Sequence, residues 1–387
     1  MIKEIPQKII YLIHLKRISF IGIAMFALFS PISISLSQIG LGIAFLGWII
    51  EKRRFQRTGL DIPILLFLLA SFIGVITSFN FKRSIGGFRE DLWVITYFLV
   101  AYILSYEDIK RVLFLLFFGS IISSGYGLFH YLKEPGRIGG LLGSCMTFAN
   151  HQILVFLFFF PLFFYFFKQK PWWNKKCLFL GSGLIIIICA IILSLTRGAW
   201  IGLFCGMLFF FILTRNWKAG LLGTTLIIIF FLLFSPIEVI NRTKSILDIN
   251  SWKRLCLWKG GIELWKKSPI FGIGIDNYEF YIEPYINPDK LVDISTCHAH
   301  SNYIQILSER GIIGFIAFIF LFSIFKESFL IIKKKRGISL FLGYGLLSAF
   351  CGFLVSGISE YTFSDSEVVM LFWFLAGIGD VIRHNDK

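Results

Sequence analysis

The chain has 387 residues, 56% of them hydrophobic and 16% charged, with 46 Phe, whereas a soluble domain carries roughly 25% charged residues. That composition, with apolar runs of about 20 residues along nearly the whole chain, leaves no room for a large soluble domain. The formal net charge of +15 would suit nucleic acid, but the basic residues sit mostly in short loops between apolar runs. There they read as topological signal and anionic-lipid contact, and no nucleic-acid partner is expected.

In chain order, Lys3, Lys8, Lys16 and Arg17 precede the first apolar stretch. No small-residue cleavage site followed by a hydrophilic mature sequence appears, so the first span is expected to be retained. Candidate spans follow near 18–32, 34–50, 60–79, 92–105, 112–130, 148–167, 177–195, 198–213, 219–235, 303–325, 338–358 and 367–382. The expected fold is an all-α integral membrane protein of about twelve transmembrane helices with one long outer loop carrying amphipathic helices. Segments 1–235 would hold helices one to nine, 236–302 the large periplasmic loop, and 303–387 helices ten to twelve, as one membrane domain.

With both termini inside, the inner segments carry 23 Lys/Arg and the short outer ones 6, namely Lys82, Arg83, Arg89, Lys133, Arg137 and Arg197. The positive-inside rule therefore places 236–302 outside, in the periplasm of a bacterial cytoplasmic (inner) membrane protein. Polar chemistry concentrates there. Within it, Ser251 to Lys267 sets Leu255, Trp258, Ile262 and Trp265 at helical spacing, an amphipathic helix with tryptophans at headgroup depth. Pro269 ends it, and Gly272-Ile273-Gly274 reads as a tight turn.

Arg197 lies between two long apolar runs, at the outer mouth of a helix pair, where an ionisable residue is a functional candidate. A snorkelling arginine is the plain alternative. Arg254 lies on the outer helix one turn before Trp258. Two forked guanidiniums at headgroup depth suit the pyrophosphate of a lipid carrier. The run Cys297-His298-Ala299-His300-Ser301-Asn302-Tyr303 closes the loop. It reads either as surface histidines before a helix capped by Ser301 or Asn302, or as a catalytic imidazole kept neutral by nearby arginines. A metal site would need a third ligand such as Asp293 or Glu309, without recognisable spacing, and none is expected. The seven cysteines are odd in number without CxxC spacing, so they read as apolar packers. Cys256 and Cys297 share one polar segment and could pair.

Ser194-Leu195-Thr196-Arg197-Gly198-Ala199, Arg254 with Trp258, Pro269 with Gly272-Ile273-Gly274, and His298 to Tyr303 together resemble the O-antigen ligase superfamily, which includes O-antigen polymerases. Gly139 to Asn150 with His151 is similar to its earlier outer motif. The resemblance implies a metal-independent, inverting glycosyltransferase without a cofactor. It would move a glycan from undecaprenyl pyrophosphate to lipid A-core or another glycan acceptor, within the membrane lipids. By position, Arg197 and Arg254 would clamp the pyrophosphate and His300 would be the base, with His298, Trp258, Asn302 and Tyr303 in support. His298 would point elsewhere along an extended segment. The family often has Asn where this chain has Ser301. A polymerase of the same superfamily is the nearest alternative. A transporter or flippase is a further one, although no internal repeat is seen and spans such as 148–167 and 177–195 carry no acid or base at mid-depth.

Overall fold

The computed structural model describes residues 18–169, 171, 174–216, 218, 220, 222–223, 239, 249–286 and 298–385. Among these every regular element is helical. The helices are α1 (Ile18–Phe29), α2 (Ile34–Ile50), α3 (Asp61–Ile76), α4 (Phe81–Asp91), α5 (Ile95–Ile103, after a 3₁₀ turn at Leu92–Val94), α6 (Tyr106–Lys133), α7 (Cys145–Lys168), α8 (Lys175–Leu193), α9 (Arg197–Leu213), α10 (Ile249–Lys267), α11 (Tyr278–Ile286), α12 (Asn302–Phe320), α13 (Ser323–Lys334), α14 (Gly337–Ser356) and α15 (Ser366–His384).

Among the described residues, five helical stretches are long and apolar enough to cross a membrane: α6, α7, α8, α12 with α13, and α14. Shorter apolar helices are α1, α2, α3 and α9. Each expected span from 18–32 to 198–213 and from 303–325 onwards coincides with helix, because an apolar run in lipid must satisfy its own backbone groups. The expected ninth span, 219–235, lies almost wholly outside the described residues, as do residues 287–297 of the long loop.

Burial follows a lipid solvent. On α3, Ile64, Phe67, Ser71 and Gly74 are buried, while Ile62, Leu65, Leu69, Phe72 and Ile76 form an exposed stripe at helical spacing. In water that face would be polar; an apolar face on an apolar helix is a lipid contact. α7 is the central helix, buried continuously from Thr147 to Phe159, and it packs on α14, α8, α9 and α15.

The two ends of the bundle differ. At one, Arg53 donates to the Ile103 carbonyl at 2.8 Å, the Gly59 amide donates to Asp380 at 3.0 Å, and Arg383 pairs with Glu327, gathering the basic segments near 52–57, 326–336 and 383. At the other, the Phe79 amide donates to the Ile273 carbonyl at 3.0 Å, and Arg137 donates to the Ser194 carbonyl at 3.1 Å. The expected functional residues all lie at this second end.

α10 starts two residues before its expected limit and ends at the expected Lys267, and the exposed members of the expected stripe are Leu255 and Ile262. The opposite face, Leu257 and Leu264, packs with Ile273, Tyr278, Ile282 and Ala299 into a small separate core. Trp258 and Trp265 are tied by their ring N–H groups to the carbonyls of Ala299 and Pro269, both at 3.0 Å.

α12 is broken at Gly311, whose φ of 60° is not helical. The 269–274 turn repairs the break. Ile273 and Gly274 donate to the Ser308 and Glu309 carbonyls at 3.0 and 2.9 Å, and Ile312 and Ile313 donate to the Pro269 and Ile270 carbonyls at 2.9 and 3.2 Å. A broken spanning helix persists only where its freed backbone groups find such partners. A Cβ on Gly311 would stand 2.4 Å from the Ile270 carbonyl oxygen. Gly311→Ala should therefore lower stability by about 2 kcal/mol or more, through backbone clash and left-handed strain. A thermal inactivation temperature equal to that of the unchanged protein, in the same detergent, would contradict this.

Candidate functional site

Arg197 is the first residue of α9, after Thr196 as N-cap, and no side chain caps that helix end. The tight α8–α9 connection is strained: Leu195 has φ 55°, a conformation that costs a β-carbon residue on the order of 1 kcal/mol. It is held by Arg137, which reaches the Ser194 carbonyl and the Thr196 hydroxyl at 3.1 and 3.3 Å, and by the Thr196 hydroxyl donating to the Cys145 carbonyl at 3.3 Å. Arg137 and, through Cys145, the earlier outer motif thus brace the turn that presents Arg197.

Arg197 and Arg254 line one cavity of about 310 Å³, with Trp200, Leu255, Trp258 and Ser359. The structure thus brings the two arginines together from elements 57 residues apart in sequence. Arg254 is also oriented by Glu360, at 3.0 Å, whose side chain is 3% exposed. Glu360 sits between α14 and α15, and sequence reasoning missed it. The start of α9 and two guanidiniums, one of them paired with Glu360, border one cavity, and helix dipole and guanidinium charge both favour an anion in such a place.

His298 and His300 do not diverge. The sequence expectation of an extended segment fails because His300 adopts φ 49°, which folds the backbone and brings the rings to 4.3 Å between centroids. Burial, followed by the positive field of Arg254, pushes His298 down to about 4. Burial, then His298, then Arg254 push His300 down to about 3. Both rings are therefore neutral near pH 7. The backbone N–H of His300 donates to Nδ1 of His298 at 3.2 Å. This assigns the proton of the neutral His298 ring to Nε2 and makes that ring a donor. Nδ1 of His300 is buried without a hydrogen-bond partner.

These shifts have a signed consequence. A histidine depressed in the folded state contributes stability that is present above the unfolded value near 6.5 and lost as pH falls from there towards the folded values. Both imidazoles should thus remain neutral at about pH 5.5, a unit below the usual histidine value. Ring ¹⁵N shifts in a selectively labelled protein report this directly, and an imidazolium signal from His300 at that pH would contradict it.

The supporting residues divide. Trp258 both walls the arginine cavity and, through Ala299, fixes the histidine segment. Asn302 is a structural clamp: its side-chain oxygen accepts from the amides of Thr362 and Phe363 at 2.8 and 3.0 Å. Tyr303 donates to the Leu354 carbonyl at 2.8 Å. Asn302 thus ties the histidine segment to the link carrying Glu360, and Tyr303 ties it to the end of α14. The Ser301 hydroxyl accepts from the Ile304 amide at 3.5 Å as the α12 cap, a role asparagine fills equally well.

A second cavity, of about 460 Å³, is lined among others by Asp276, His298, Glu309, Arg310 and Tyr361. Glu309 and Arg310 are 1% and 3% exposed. Arg310 pairs with Asp91 at 2.8 Å. In the sequence Glu309 was weighed as a metal ligand; among the described residues no three His, Cys, Asp or Glu side chains form a metal cluster. Cys297 lies outside the described residues, and with it the suggested pairing to Cys256.

Residues 182–319 match the family described as O-antigen ligase. The match contains Arg197, Arg254, Trp258, His298, His300, Asn302 and Tyr303, while Arg137, Glu360 and Tyr361 lie outside it. No curated protein matches the chain.

Proposed function

From membership of the O-antigen ligase superfamily, carried by residues 182–319, we propose that this chain transfers a glycan from undecaprenyl pyrophosphate to a lipid A-core or similar outer-leaflet acceptor. The observation that carries the reading is the shared cavity of Arg197 and Arg254 at the uncapped start of α9. The donor pyrophosphate sits there, each guanidinium gripping phosphate oxygens as a fork. Pyrophosphate is already a good leaving group, so arginine charge takes the part a divalent cation plays elsewhere. His300 accepts the proton of the acceptor hydroxyl as its oxygen attacks the anomeric carbon. The bond from that carbon to the pyrophosphate oxygen breaks, the electron pair leaves with pyrophosphate, and the configuration inverts in a single displacement. His298, carrying its proton on Nε2, orients the acceptor oxygen.

The proposed topology has about twelve spans, both termini cytoplasmic, and the site at the periplasmic face of the inner membrane. Segments 1–235 and 303–387 form the helical body and 236–302 the catalytic loop. A polymerase uses the same donor chemistry and differs in acceptor alone. The test is consumption of undecaprenyl-pyrophosphate-linked glycan by the purified protein in bilayers, in excess EDTA. Consumption that rises with added lipid A-core supports a ligase, and chain growth on the donor itself supports a polymerase. Activity regained only with magnesium or manganese would overturn the arginine account.

A further inference from the structure

We propose that the second cavity is the acceptor subsite, and that Glu309, Arg310 and Asp276 in it hold the hydroxyl face of a neutral sugar. The proposal rests on the donor reading of the arginine cavity, since His298, which lines the second cavity, lies in the field of Arg254, which lines the first.

The charges decide the class of ligand. Four carboxyl groups line the second cavity, Glu90, Asp91, Asp276 and Glu309, against two guanidiniums, Arg89 and Arg310; these pair with Glu90 and Asp91, which leaves Asp276 and Glu309 as the acidic excess. A phosphate would be repelled by this excess, whereas hydroxyls both donate and accept. The first cavity has the opposite character, with two guanidiniums. The polarity of the two chambers therefore separates an anionic donor headgroup from an uncharged acceptor.

The deep wall is built for a ligand hydroxyl. Glu309 Oε1 accepts from the Tyr278 amide at 3.2 Å, but Oε2 has no hydrogen-bond partner, nor does Arg310 Nη1. The two stand 3.9 Å apart, too far for a hydrogen bond to each other. One hydroxyl between them donates to Oε2 and accepts from Nη1. Burying both unpartnered is costly, and a ligand that satisfies both relieves that cost. Near the mouth, Asp276 holds φ 60°, with Arg83 against its carboxylate at 3.4 Å. The Tyr361 ring, 5.6 Å from His298, gives the flat wall against which a sugar ring rests.

Saturation-transfer NMR on the protein in nanodiscs tests this with methyl α-glucoside, galactoside and mannoside, against glucose 6-phosphate. At least one neutral glycoside should receive saturation, more strongly than the phosphorylated sugar. The signal should fall about tenfold in Glu309→Gln, the scale of a hydrogen bond to a charged group. Asp276→Asn should also lower it, and asparagine tolerates the left-handed backbone there, so that variant keeps the fold. Binding of undecaprenyl pyrophosphate, measured on the same samples, should be unchanged by either substitution and weakened roughly 10- to 100-fold in Arg254→Ala. If the donor lipid does not bind the unchanged protein, the donor reading fails separately from the sugar result. No signal with any neutral glycoside, a stronger signal with the phosphorylated sugar, or full signal in the Asp276→Asn protein would overturn the subsite.

Discussion

His300→Ala lowers turnover by about 10² to 10⁴ while donor-lipid binding stays nearly intact. The expectation follows from when the proton moves. His300 meets the acceptor hydroxyl, whose proton leaves only during attack, so the imidazole stabilises the transition state and little else. Its neutral state near pH 7 is supplied by burial and by Arg254, and its Nδ1 is left without a protein partner. His298→Ala should cost less, because the neighbouring backbone amide occupies the one nitrogen through which that neutral ring could accept a proton. Measuring carrier-lipid binding and turnover separately on both variants decides the assignment. Near-normal turnover in a folded His300→Ala protein would remove the base and move the role to another group such as Asp276, which lines the second cavity.

Arg254→Ala has two effects that can be separated. Removal of the guanidinium takes charge-assisted bonds from the pyrophosphate, each on the order of 1.5–3 kcal/mol, or roughly 10- to 100-fold in donor affinity. It also slows turnover, because negative charge grows on the leaving group as the bond breaks. In addition it takes from Glu360, 2% exposed, its ion-pair partner at 3.0 Å, at about 3 kcal/mol of stability. Arg254→Ala combined with Glu360→Gln should therefore regain much of the thermal stability while donor binding and turnover remain low. Arg254→Lys should restore little binding, because a point ammonium cannot reproduce the fork. Recovery of donor binding in the double variant would show that Arg254 acts by neutralising Glu360 and not by holding the donor.

Much of the helical scaffold was legible because a spanning helix announces itself by length and apolarity, and α2 keeps the expected limits of 34–50. The 81–91 helix was read as loop: its Lys82, Arg83, Gly86 and Gly87 carry no apolar run, and it is held by contacts to the 273–276 turn such as Ser84 to the Ile275 carbonyl at 2.9 Å. The arginines and histidines stood out because charge is rare at a helix mouth. Glu360 did not, since a lone acid in a short link between spans has no local signal and gains its role from a contact 106 residues away. Arg310 was hidden inside the tenth apolar run. The left-handed turn at His300 was beyond reach too, since a histidine there is imposed by surrounding contacts such as Trp258 to Ala299, and the convergence of His298 with it went unread for that reason.

The central claim concerns one bond, the link between the anomeric carbon and the pyrophosphate oxygen, broken from behind by an acceptor oxygen. The most direct measurement is NMR of the new glycosidic linkage made by the purified protein from a donor of defined anomeric configuration, with mass spectrometry of the released lipid. The account predicts inversion at the anomeric carbon and release of intact undecaprenyl pyrophosphate; retained configuration, or release of the monophosphate, would contradict it.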